Sequence, residues 1–163
     1  MSAPISTYYE GWAFYNGLLE RALAPLDAGQ LSLRAAPGLW TVRRIANHVV
    51  AARAWWFHSW MGEGGQPLAE LVDFDDAEGA DARDGAAVIE ALRRSWSCLA
   101  ASLDGWTEAD LDARFQRPAP NAAGDRPWHT RREIVWHVAE HDVHHGGEIS
   151  ITLGMHGLAG LDL

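Results

Sequence analysis

The chain has a single cysteine, Cys98. One thiol excludes an intrachain disulfide, a CxxC redox pair and a cysteine-rich zinc site, and Cys98 reads as a small buried hydrophobe. Long apolar runs are missing too. No stretch of about 18 apolar residues exists to cross a bilayer, because the longest apolar region is broken by Arg53 and His58. The opening "MSAPISTYYEGW" has no basic segment followed by an apolar one. It does not read as an export signal, and a cytoplasmic location is expected. Clustered positive charge is also lacking. The formal charge is −9, whereas phosphate backbones are bound by clustered lysine and arginine, so nucleic acid is not an expected partner.

What is present fits an ordinary globular protein. Apolar residues make up 48% of the chain and charged ones 21%, enough for a full core in one domain spanning residues 1–163. Nine tryptophans predict an aromatic-rich core and aromatic pocket walls. Apolar residues recur at helical spacing over 6–27, 41–61, 85–104 and from Thr130 to Gly154 or Gly157. Thr41 is a candidate N-cap. "TRRE" at 130–133 has the form of a capping box, in which Thr130 and Glu133 satisfy each other's backbone N–H. The expected fold is all-α: a four-helix bundle with a long irregular connection, 105–129, before the last helix. That connection contains the short turn "TEADLD" and punctuation suited to an irregular hairpin. The acidic segment "DFDDAEGADARD" at 73–84 lacks EF-hand spacing and reads as solvated loop.

Four of the eight histidines fall within nine positions, His137 to His145. On the last helix Ile134, Val138, Ile149 and Leu153 draw an apolar arc. His145 falls inside it and His141 at its edge, while His137 and His144 lie toward the polar side. Imidazoles at i and i+4 have Cβ atoms about 5–6 Å apart and can converge on one ion. In the second helix, Ile45, Val49, Ala52 and Trp56 draw the inward arc. His48 sits at its edge and His58 points elsewhere. Ligands in helical bundles commonly come from inward faces of different helices, so His48, His141 and His145 would make a three-histidine site with open positions. Position 138 is valine, so the HExxH metalloprotease pattern is absent. Glu148 is a candidate partner of a ligand, fourth ligand or base, or else a surface carboxylate.

These residues resemble a family. "LWTVRRIANHVVAARAWW" and "HVAEHDVHHGGEI", in this order, are similar to the helix-two and helix-four motifs of the DinB/YfiT-like superfamily, and the resemblance covers almost the whole chain. It implies a four-helix bundle with His48, His141 and His145 as metal ligands. It implies a homodimer and a metal-dependent activity, in some members transfer or opening reactions using low-molecular-weight thiols such as bacillithiol or mycothiol. Where the family often has an arginine and then Gly-Gln, this chain has Gly146 and Glu148. The change removes an anchor for an anionic group and adds negative charge. The adjacent glycines suggest close packing at that point of the helix.

Three readings remain open. In the first, a divalent ion, zinc or nickel before iron or copper, serves a thiol S-transferase or a hydrolase acting on a small molecule. In the second, a non-catalytic metal-binding or stress-associated protein has a closed site completed by Glu148, His137 or His144. In the third, the bundle is metal-free, with hydrogen-bonded core histidines. Trp55, Trp56, Trp60 and Trp136, on the ligand-bearing helices, are candidate pocket walls or core.

Overall fold

The computed structural model describes residues 4–162. These residues are mostly helical. Helix α1 covers Glu10–Leu23 and α2 covers Val42–Ala54, continuing as a widened π-type turn over Trp55–Trp60. Helix α3, Gly65–Ala69, is a five-residue element that the apolar spacing does not suggest. Helices α4, Gly85–Gly105, and α5, Arg131–Met155, complete the set. The connection between α4 and α5 carries a short helical turn, Glu108–Asp112, and two antiparallel strands, β1, Arg114–Gln116, and β2, Trp128–Thr130. The expected four long helices are thus joined by a fifth, short one, and the first ends earlier than expected, ahead of Pro25.

Local chemistry sets the ends. Thr41 accepts from the Arg44 backbone N–H at 3.1 Å and Asp84 from that of Ala87 at 2.7 Å. Thr130 and Glu133 form the reciprocal capping box at the start of α5. The inward arcs close on one core. Ile134, Val138, Ile149 and Leu153 of α5 are fully buried, against Val49 and Val50 of α2, Leu92 and Leu99 of α4 and Leu19 of α1.

One polar device runs through this core. Arg53 of α2 and Asp142 of α5 are both wholly buried. Arg53 donates from Nε at 2.9 Å and Nη2 at 2.7 Å to Asp142 Oδ2, and the indole N–H of Trp12 donates to the same oxygen at 2.7 Å. Arg53 Nη1 reaches Ser95 Oγ at 3.3 Å. A charge buried this deeply persists only when paired and hydrogen-bonded, and this pair draws on all four long helices.

The adjacent glycines of α5 have different roles. A Cβ on Gly146 would stand 2.2 Å from the Tyr15 hydroxyl oxygen, whereas one on Gly147 would meet nothing within 4 Å. Tyr15 sits there because its hydroxyl donates to the Val143 carbonyl at 3.1 Å. Gly146 is therefore the point where α1 closes on α5.

Two outcomes follow for urea unfolding. Asp142→Asn should cost about 3–5 kcal/mol, the range for breaking a buried pair, and Asp142→Leu with Arg53→Met should recover most of it. Gly147→Ala should stabilise by up to about 1 kcal/mol through helix propensity, while Gly146→Ala destabilises despite the same propensity gain. Equal effects of the two alanines would contradict the Tyr15 contact.

Candidate metal centre

His48 projects from α2, and His141 and His145 from successive turns of α5. One ring nitrogen from each falls within 4.8 Å of the other two. His48 Nε2 and His141 Nε2 are 3.2 Å apart. Two nitrogens at zinc-bond length, about 2.0–2.1 Å from one ion, are separated by about 3.3 Å at a tetrahedral angle. The cluster could therefore hold a divalent ion without large rearrangement. His137 and His144 stay outside: His137 Nδ1 is 3.2 Å from Glu140 Oε1, and the His144 side chain is 69% exposed. His58 turns away, its Nδ1 3.1 Å from the Glu63 carbonyl.

Carboxylates stand behind two of the three rings. Asp75 Oδ2 lies 2.7 Å from His48 Nδ1, and Glu148 Oε2 lies 2.6 Å from His145 Nδ1. A carboxylate accepting from Nδ1–H fixes the tautomer that leaves an Nε2 lone pair for an ion and makes that nitrogen more basic. Glu148 thus backs a histidine of the cluster. Asp75 corrects the sequence reading of 73–84 as merely solvated. Arg43 of α2 donates to the Asp81 carbonyl at 2.9 Å, and Asn47 of α2 donates to the Ala80 carbonyl at 2.9 Å. These bonds hold the acidic segment on α2, and Asp75 reaches His48, the residue after Asn47. A histidine motif gives no sign of this partner.

The aromatic walls are arranged differently from expectation. Trp56 and Trp60 stack at 4.3 Å, with Trp55 edge-on to both, so they pack on one another beside His129 and His137. Trp136 is exposed. The tryptophan at the cluster is Trp40, which precedes α2. Its ring centre is 5.1 Å from that of His48 and lies near-parallel to His145 at 6.3 Å. A cavity of about 480 Å³ opens there, lined by Trp40, Leu39, Ile45, Ile151, His145 and Glu148 among others.

Burial decides the protonation of His141 and His145. It pushes the His141 pKa down to about 3, with the neighbouring His145 and His48 adding to the effect. Burial lowers His145 as well, against the opposing pull of Glu148. Both rings are neutral near pH 7 and available as ligands. The sign for stability follows by linkage. Below the ordinary histidine value of about 6.5, the unfolded chain takes up a proton at His141 that the folded chain refuses. Stability is full above that value and falls as pH drops toward the folded pKa of about 3. The urea midpoint of metal-free protein should fall between about pH 7 and pH 5, and His141→Gln should flatten that slope. An unchanged slope in the variant would contradict the buried, neutral His141.

Comparison with known proteins bears on the family and the fold. No curated protein matches the sequence. The structure is similar to the crystal structure of a DinB-like protein from Bacillus cereus ATCC 10987, with a TM-score of 0.72 at 20% identity, covering 100% of this chain and 99% of that one. At that identity the likeness speaks for the fold. The model of the DinB family matches residues 1–160. The chain belongs to the DinB family.

Proposed function

We propose that this protein is a metal-dependent enzyme in which His48, His141 and His145 hold one divalent ion, zinc or nickel in the first instance. The observation that carries the reading is the convergence of three ring nitrogens from two helices within 4.8 Å. The carboxylates on His48 and His145 support it, because they orient both rings toward a common centre. Glu148 is engaged with His145 rather than turned into the cluster, which favours an open coordination position over a closed structural site. When bound, the ion would supply Lewis acidity and lower the pKa of a coordinated thiol or water.

The reaction class we favour is S-transfer from a low-molecular-weight thiol, with metal-assisted hydrolysis as the alternative. In this reading the chain's residues orient and exclude. Asp75 and Glu148 hold the imidazoles in one tautomer, Trp40 shields the rings from water, and Arg53–Asp142 sets the register of α5 against α2. We further read the fold as a single four-helix bundle domain in which α3 is an insertion, and the protein as a cytoplasmic homodimer. Among the described residues no helix is long and apolar enough to cross a membrane. Glu148 and His144 approach each other at 3.6 Å. This contact is the feature that favours the second reading, a non-catalytic metal-binding protein with additional ligands.

Untagged protein purified without chelator should carry close to one equivalent of metal by elemental mass spectrometry. His48→Ala and His141→Ala should each lose it. Asp75→Asn should retain the site but weaken zinc by about 10–100-fold in a competition titration. Wild-type protein that takes up no metal after incubation with zinc or nickel would end the reading.

A further inference from the structure

The cavity beside the histidine cluster has a chemistry of its own. At about 480 Å³ it lies in the range of small-molecule sites, about 300–1,000 Å³. Leu39, Trp40, Ile45 and Ile151 give it apolar walls, and its ionisable lining is His145 and Glu148. We propose that this cavity binds an uncharged, mainly apolar small molecule, held against Trp40 with one end at His145, and serves as the subsite for the electrophile in the proposed transfer.

The charges around the cavity exclude the other classes. No arginine lines the cavity among the described residues, and Glu148 would repel an anion there. The nearby guanidinium of Arg44 is committed elsewhere: it lies over the Trp40 ring at 5.1 Å and faces Asp81 at 3.9 Å. A cation would need Glu148, but one of its oxygens is bonded to His145 at 2.6 Å and the other has His144 at 3.6 Å. An uncharged ligand gains from burying the apolar walls and loses nothing to unpaired charge. Leu39 and Ile151, at the mouth, are 53% and 63% exposed without it. The Trp40 ring centre lies 5.1 Å from that of His48 and 6.3 Å from that of His145, so a molecule stacked on Trp40 is held next to the cluster.

Binding to the cavity is independent of the ion, while its catalytic use rests on the metal-centre reading. The test is a pair of dyes sharing one ring system: uncharged N-phenyl-1-naphthylamine and its anionic analogue 8-anilino-1-naphthalenesulfonate. Both are titrated by fluorescence into metal-free and zinc-incubated protein. The uncharged dye should bind in both states, at least about tenfold tighter than the sulfonate. Leu39→Glu and Ile151→Glu, both on exposed positions, should each weaken it by about tenfold or more. Equal affinity for the two dyes, or indifference to both substitutions, would overturn the proposal. So would dye binding that declines as protein concentration rises, the mark of a second copy seated on the mouth. Dye binding without zinc uptake would sink the metal reading and the catalytic use of the cavity, and leave its ligand binding standing. Zinc uptake without dye binding would do the reverse.

Discussion

The Arg53–Asp142 pair is the constraint on which the remaining structure turns. Neither side chain is exposed, so each charge depends on the other and on Trp12 and Ser95 for its solvation. A buried pair of this kind tolerates little sliding or rotation, because any displacement strands a charge in the core. Asp142 immediately follows His141, and Arg53 lies on the same helix as His48. Locking one carboxylate to one guanidinium fixes the register of α5 against α2, and with it the approach of His141 to His48. The contact of Tyr15 on Gly146 acts on the same turn of α5 from the opposite neighbour. The cluster is thus a consequence of core packing rather than of loop geometry.

Around that frame the electrostatics favour a cation. Burial and the neighbouring imidazoles make His141 and His145 resist protonation. Carboxylates approach from two directions, Asp75 from the segment after α3 and Glu148 from α5 itself. The protein as a whole carries a formal charge of −9. An ion of charge two would resolve the crowding of nitrogen lone pairs and answer the carboxylates behind them. The same charges make the neighbouring cavity unsuited to an anion, leaving its apolar walls to decide what binds.

Much of this was legible in the residues. The period of apolar positions located the four long helices, and the Thr130 and Glu133 box marked the start of α5 within a residue. Helical angles brought His141, His145 and His48 to one side, and the structure places them together. The short helix α3 was not legible, because five residues carry too little periodicity to stand out beside glycine-rich punctuation. Asp75 was hidden for a related reason. Its role depends on Arg43 and Asn47 gripping the carbonyls of Asp81 and Ala80, a long-range pairing that composition does not encode. Arg53 registered only as an interruption of an apolar run and Asp142 only as one nearby acid; their partnership needs the three-dimensional packing. Trp40 carries no helical signal because it lies in a loop, whereas Trp55, Trp56 and Trp60 pack on one another and Trp136 is exposed.

The most direct measurement is X-ray absorption at the metal edge of the loaded protein, counting the imidazoles around the ion. Three histidine nitrogens are expected, with exchangeable ligands completing the shell, and one imidazole fewer in His48→Ala, which loses the ion on purification and is reloaded with excess metal for the measurement. A shell with at most two imidazoles in the wild type, or one unchanged by His48→Ala, would contradict a centre assembled from α2 and α5.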